Sequence, residues 1–223
     1  MPVLRLAAWP SGNERGAPAI RSRPFSRRRR RFPLRSPPTS HELSGGLRQR
    51  AMIALALSCR PKLLLADEPT TALDATVQIQ ILHLLRELQR TLGMAMILVT
   101  HDLGVACETA DRIAVMYAGR FVETADVRSL VRTPWHPYTI GLFKSAVAGQ
   151  ARGQVLSQIP GSPPDLSDLP PGCAFAPRCA QALDRCLAER PELIEFGPDR
   201  AARCHFVEQS MRSPAVTADQ HAT

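Results

Sequence analysis

Lysine is nearly missing from this chain. Lys62 and Lys144 are its only two lysines among 223 residues that carry 28 basic side chains. Aromatic residues make up 5%. No stretch reaches the roughly 18 consecutive apolar residues that a membrane-crossing helix requires. Ala51–Leu65 comes nearest and is broken by Arg60, Pro61 and Lys62. Arg30-Arg31-Phe32 hints at an export signal, yet Pro33-Leu34-Arg35-Ser36-Pro37-Pro38 follows where an apolar core would be needed. With no secretion signal, the six cysteines are not expected to form disulfides. None of them stands in a C-x-x-C pair, the commonest zinc spacing. Also absent is Gly-x-x-x-x-Gly-Lys-Ser/Thr, the loop whose backbone wraps nucleotide phosphates.

The formal charge of +8 is unevenly spread. Residues 1–40 hold ten arginines and one acid, Glu14, whereas residues 41–223 hold 18 basic and 19 acidic side chains. The basic character therefore belongs to a short head, and the body is close to neutral. Arg, Pro, Ser, Gly and Ala supply 28 of the first 40 residues, and no amphipathic period runs through them. The run Arg27–Arg31 repels itself in any packed arrangement. Four readings of this head stand side by side. It is a basic arm for nucleic acid or anionic lipid, though with few rings to stack on bases; a twin-arginine signal; a transit peptide; or a leader translated out of frame from GC-rich DNA. On any of them residues 1–40 are expected to be unstructured.

From residue 41 the chain reads as strands and helices in alternation. A helix follows Ser44-Gly45-Gly46 and is expected to carry Ala51, Ile53, Ala54 and Leu57 inward. Lys62–Ala66 is a short apolar run bounded by charge, the signature of a strand buried on both faces. Thr76–Leu92 places Val77, Ile81, Leu84, Leu85, Leu88 and Leu92 at helical spacing, with Gly93 as a stop. Met94–Val99 is a second buried strand. Arg112–Tyr117 and Arg120–Glu123, joined by Ala118-Gly119, form a hairpin. This order predicts an α/β fold around a parallel sheet. Cys59 and Cys107 sit in apolar surroundings and are expected in the core. From about Thr133 the chain turns Pro-rich and carries Cys173, Cys179, Cys186 and Cys204.

Polar residues gather where the strands end. Asp67-Glu68 closes one strand, and such a pair suits Mg²⁺ binding and water activation, although acids often end strands for solubility alone. Ser44-Gly45-Gly46 opens a helix, where free backbone N–H groups and the helix dipole favour an anion; an ordinary serine cap reads the same way. His101 follows the next strand and is either structural or catalytic.

Taken in order, Leu43-Ser44-Gly45-Gly46-Leu47-Arg48-Gln49-Arg50, Leu65-Ala66-Asp67-Glu68-Pro69-Thr70, Thr71-Ala72-Leu73-Asp74 and Thr100-His101-Asp102 resemble the signature loop, Walker B strand, D-loop and switch histidine of ABC-transporter ATPases. Thr133-Pro134-Trp135-His136-Pro137-Tyr138-Thr139, Ile159-Pro160-Gly161-Ser162-Pro163-Pro164 and Gly172-Cys173-Ala174-Phe175-Ala176-Pro177-Arg178-Cys179 resemble the C-terminal extension of the oligopeptide/dipeptide branch, with some likeness to nickel importers. The resemblance implies a P-loop NTPase-like ABC ATPase fold without its Walker A half. Residues 41–132 would be the ATPase part, 133–207 a Pro/Cys-rich extension, and 208–223 a disordered tail. It implies that Ser44, Gly45 and Gly46 contact the γ-phosphate of ATP held by a second ATPase subunit, that Asp67 orders Mg²⁺, and that Glu68 is the general base. His101 would hold the γ-phosphate and the water, and Asp74 would couple the two subunits. Leu47 departs from the common signature glutamine in a manner usual for this branch.

The same resemblance implies a peripheral protein on the cytoplasmic face of a bacterial inner membrane. Its partners would be a second ATPase subunit, two membrane permease subunits and, indirectly, a peptide-binding protein. Nucleic acid is not an expected partner. For Cys173, Cys179, Cys186 and Cys204 the resemblance favours a 4Fe–4S cluster, with zinc or unligated thiols as alternatives. Since no phosphate loop precedes His41, the sequence predicts a truncated or frame-disrupted ATPase subunit that does not turn over ATP alone. The alternatives are a non-catalytic partner lending its signature loop and, at a distance, a basic nucleic-acid binder. Helices normally covered by missing strands are expected to leave the monomer marginal.

Overall fold

The computed structural model describes residues 3–8, 43–145 and 158–212. Its strand–helix succession begins with β1 (Val3–Ala8), α1 (Gly45–Leu57), β2 (Leu63–Asp67), α2 (Ala75–Leu92), β3 (Ala95–Thr100) and α3 (Leu103–Thr109). The hairpin β4 (Arg112–Tyr117) and β5 (Arg120–Asp126) follows, then α4 (Val127–Arg132) and α5 (Pro137–Ser145). The last part holds α6 (Asp184–Ala188), β6 (Ile194–Glu195), β7 (Ala201–Ala202) and α7 (His205–Arg212).

Helix α2 forms where its sequence says it should. The Asp74 carboxylate accepts from the Val77 N–H at 2.9 Å, Gly93 closes the helix in the left-handed region at φ 62°, and Ile81, Leu82 and Leu85 are buried on one face. The turn between β4 and β5 places Ala118 at φ 46° and Gly119 at φ 76°. Two successive positive φ values match the right-handed twist of the strands they join, which is what a two-residue hairpin demands.

The sheet is mixed rather than parallel. Its order is β2-β3-β1-β4-β5-β7-β6, and only β2 and β3 pair in parallel, with Asp67 opposite Val99. The remaining neighbours are antiparallel. The chief cause is β1, which lies between β3 and β4 and runs antiparallel to both, with Leu4 opposite both Thr100 and Val115. The expectation of an unstructured head therefore fails for Val3–Ala8. The facing edges of β3 and β4 carry unpaired backbone donors and acceptors, and a proline-free extended segment satisfies both rows at once. The rest of the head, residues 9–40, and the tail from 213 lie outside the described residues.

Two further expectations change. β2 is covered on one face only: Leu64 and Ala66 are buried while Leu63 and Leu65 are exposed. In α1 Ile53 alone is buried; Ala51 and Ala54 are exposed and Leu57 is partly covered, because the helix packs along α2 and little else. Cys59, expected in the core, is exposed at the end of α1, whereas Cys107 packs against the main core. That core runs along β3, β4 and β5 and includes Leu98, Ile113, Val115, Ala125 and Leu130. A smaller core joins Ile53, Leu64, Ile81, Leu85, Met94 and Met96 beneath α2.

Candidate active site and cysteine group

The parallel pairing of β2 and β3 brings two strand ends together. The Glu68 N–H donates to the Val99 carbonyl at 2.8 Å, one step past the last residue of β2. The chain then reverses, with Glu68 in the left-handed region at φ 44°. Such a backbone state is uncommon for a residue with a side chain and is found where the surroundings hold it in place. Here it directs the carboxylate across to His101, whose Nδ1 lies 3.1 Å from Glu68 Oε1. The other carboxylate oxygen accepts from the Thr71 hydroxyl at 2.9 Å. The Thr71 hydrogen bond, followed by that of His101, holds the Glu68 carboxyl below the usual carboxylate range. Both members of the Glu68–His101 pair are open to solvent, at 40% and 54% side-chain exposure, so a water molecule can reach the carboxylate. Asp67 sits exposed at the end of β2. Asp102 caps α3, accepting from the Gly104 N–H at 2.8 Å and the Val105 N–H at 3.2 Å, and so fixes the chain just beyond His101.

Ser44, Gly45 and Gly46 form a separate group at the start of α1. Ser44 caps the helix with Oγ 3.4 Å from the Leu47 N–H. A Cβ on Gly46 would stand 2.7 Å from Val77 Cγ1, and one on Gly45 would stand 3.2 Å from Leu73 Cδ2. The loop is thus pressed against the first turn of α2, and glycine is what allows that approach. Asp74, expected to act between subunits, spends a carboxylate oxygen on capping α2. Among the described residues no hydrogen bond or ion pair links Ser44–Gly46 to Glu68 or His101.

Reading the sequence missed two participants. Thr71 lay within a quoted motif but had no role; its place three residues after Glu68, across a proline, was the available signal. Glu123 gave none. It is wholly buried in β5, accepts from the Trp135 and His136 N–H groups at 2.9 Å each, and pairs with Arg200 at 3.2 Å. The Arg200 guanidinium also lies 3.4 Å over the Trp135 ring and donates to the Thr133 carbonyl. The Thr133–Tyr138 motif is therefore the clasp that fastens the C-terminal segment to the hairpin.

Cys186 and Cys204 are buried, and Cys173 and Cys179 half-buried. The Cys173 N–H donates to the Cys186 carbonyl at 2.8 Å, and Gly172 lets the two strands of chain cross, since a Cβ there would meet the Cys186 carbonyl oxygen. Burial pushes the Cys173 and Cys179 thiols up and that of Cys204 to about 11, and the Cys204 thiol also feels Cys173 and Cys179. The Cys173 and Cys179 thiols also feel that of Cys186. Among the described residues, however, no three His, Cys, Asp or Glu side chains are grouped so as to hold one metal ion. No helix of the described residues is long and apolar enough to cross a membrane.

Comparison with known proteins covers both parts of the chain. The model of the ABC transporter family matches residues 23–71, beginning inside the Arg-rich head rather than at His41. The model of the oligopeptide/dipeptide transporter C-terminal region matches residues 122–186. The oligopeptide transport ATP-binding protein AppD of Bacillus subtilis is 51% identical over 169 residues, which are 76% of this chain and 52% of that protein. The oligopeptide transport ATP-binding protein OppD of Escherichia coli is 52% identical over 164 residues, 74% of this chain and 48% of the relative. The dipeptide transport ATP-binding protein DppD of Escherichia coli is 49% identical over 166 residues, 74% of this chain and 51% of the relative. The chain spans about half the length of the curated relatives it matches. With these relatives about half identical over three quarters of the chain and a matching C-terminal region, the chain belongs to the ABC transporter family, in its oligopeptide/dipeptide branch.

Proposed function

We propose that the chain serves as the ATP-binding component of a peptide importer, coupling ATP hydrolysis at a composite site to peptide uptake. The observation that carries this reading is the Glu68–His101 pair, 3.1 Å apart across two parallel strand ends. A carboxylate held ionised and open to water suits a general base, and an imidazole beside it can orient the water and the transferring phosphate. Asp67, an exposed oxygen donor beside the base, fits Mg²⁺. The ion would supply charge neutralisation on the phosphates, and the residues of this chain would bind, orient and deprotonate. Ser44, Gly45 and Gly46 would face the nucleotide of a second ATPase subunit, and Asp74 would transmit between the subunits by holding the start of α2. The further partners are two membrane permease subunits and, through them, a peptide-binding protein, with the chain at the cytoplasmic face of the membrane.

No phosphate-wrapping sequence occurs in these 223 residues, and this favours a second form of the same reading. In it the chain does not turn over ATP by itself and lends its Ser44–Gly46 loop to a subunit that has a phosphate loop. The test is ATP hydrolysis by this chain, by a phosphate-loop-bearing importer subunit, and by their mixture. The mixture is expected to exceed the sum of the two, and Ser44→Arg to abolish the excess. Turnover by this chain alone that vanishes in Glu68→Gln would overturn the second form and leave the first. An unstimulated mixture together with a silent chain would overturn both.

By residue type and number alone, the four late cysteines suit an iron–sulfur cluster. Cys173, Cys179, Cys186 and Cys204 would hold it, and its part would be to staple a segment with little secondary structure. Iron content and visible absorption of anaerobically purified protein test this.

A further inference from the structure

We propose that Thr71 is a positioning residue for Glu68: its hydroxyl fixes the carboxylate in the orientation that meets His101. The inference deepens the reading of Glu68 as general base and rests on it. Glu68-Pro69-Thr70-Thr71 is a turn closed by the Thr71 N–H donating to the Glu68 carbonyl at 3.1 Å. Proline at its second position presets the backbone angle that the turn requires. Pro69 and Thr70 are both buried, so the two corner residues are anchored in the protein while Glu68 and Thr71 face outward. The turn therefore returns Thr71 over Glu68 in a fixed place. There Oγ1 stands 2.9 Å from Oε2, and the second oxygen, Oε1, is left 3.1 Å from His101 Nδ1.

A glutamate side chain has three rotatable bonds, and this one is 40% exposed. Among the described residues two contacts fix the direction of its carboxylate, Thr71 on one oxygen and His101 on the other. His101 is the more exposed of the pair. Thr71 is attached to an anchored turn and is the fixed reference. The hydroxyl is also the larger of the two influences that hold the carboxyl ionised. Removing it leaves the carboxylate to sweep through water, and the imidazole loses its acceptor.

Nitrogen-15 NMR of His101 in the nucleotide-free full chain, above the imidazole titration range, tests this without ATP turnover. With Glu68 in place as acceptor, the Nδ1–H tautomer is expected to dominate. Thr71→Val, which keeps the shape and removes the hydroxyl, should lose that pattern in favour of the Nε2–H form of a free imidazole. Thr71→Ser should restore it, and Glu68→Ala, which removes the acceptor altogether, sets the limit of the change. Thr71→Ala replaces the valine variant should that one misfold. If Glu68→Ala moves the His101 signals and Thr71→Val leaves them as in wild type, the positioning role is overturned and the Glu68–His101 pair stands. If neither variant moves them, the pair itself is not formed, and the general-base reading loses its geometric support as well.

Discussion

Between Gly45 and Asp67 only Ile53, Leu64 and Ala66 are buried, whereas the shorter step from Ile113 to Ala125 buries Ile113, Val115, Tyr117, Val122, Glu123 and Ala125. The first region carries Ser44–Gly46 and Asp67. The second carries none of the proposed nucleotide contacts and is where the packing is. The difference teaches that the residues proposed for phosphate chemistry are displayed on lightly covered elements, beside a β-rich region tied down by the C-terminal segment. Tyr117, Tyr138 and Phe175 meet there with ring centroids 4.6 to 5.4 Å apart, and each supplies area that no residue of α1 supplies.

The hardest blow to this comparison is aimed at Glu123. Glu123→Ala leaves Arg200 and two backbone N–H groups without their buried acceptor, and removing one partner of such a pair costs about 3–5 kcal/mol. Urea denaturation should show a loss of that size, together with exposure of Trp135 by fluorescence. A loss below about 1 kcal/mol, the surface-pair range, would mean that the C-terminal clasp is not what holds the second region.

Next in size is a pH effect at His136. The ring is fully buried, burial pushes its pKa down to about 3, and its Nδ1 accepts from the Tyr138 N–H at 3.0 Å, a bond only the neutral ring can make. The unfolded ring protonates near 6.5. The contribution is therefore complete above pH 6.5 and is lost as pH falls towards 3, because the unfolded chain binds the proton first. Between pH 6.5 and 4.5 the contribution of His136 to this loss should be about 2 kcal/mol. Stability measured across that interval should fall more steeply in wild type than in His136→Asn. Equal slopes in the two proteins would place His136 in water.

How much of this could be read beforehand follows from which interactions are local. The body and end of α2 were legible because its apolar spacing is local and Gly93 stops its own helix, whereas the cap at Asp74 went unread; the hairpin was legible because its turn residues sit between two apolar runs. Glu68 and His101 were legible as a pair because each ends an apolar strand. Glu123 was not, since its partners Trp135, His136 and Arg200 come from 12, 13 and 77 residues away and no spacing announces them. Val3–Ala8 was hidden by the charge of the segment it belongs to, although only Arg5 among the six is charged. The exposure of Leu63 and Leu65 was hidden too, for a continuous apolar run looks the same whether one face or both are covered.

Within the first region the closest contact is at Gly46. Gly46→Ala would set a Cβ 2.7 Å from Val77 Cγ1, and Val77 can yield only by turning against α2. Overpacking costs about 1–3 kcal/mol and alanine returns up to about 1 kcal/mol of helix propensity, so a net loss of about 1 kcal/mol is expected. Gly45→Ala, with its nearest atom at 3.2 Å on the end of Leu73, should cost less. Thermal melts of the two variants rank them, and the reverse order would mean that the loop does not lie against α2 as described.

The smallest expected effect is the one that most sharpens the comparison. Leu55, 74% exposed in the middle of α1, has no cover to lose, so Leu55→Gln should change unfolding stability by no more than about 0.5 kcal/mol. Glutamine and leucine have similar helix propensities, so the backbone gives no reason for a larger change. A loss of 2 kcal/mol or more is the mark of a buried leucine. Such a loss would mean that α1 has a covered apolar face in solution, and the contrast between a displayed region and a packed one would fail at its clearest residue. Measuring the variant at two protein concentrations separates the sources of cover. A loss that grows with concentration comes from a second copy of the chain, and one that does not comes from the chain itself.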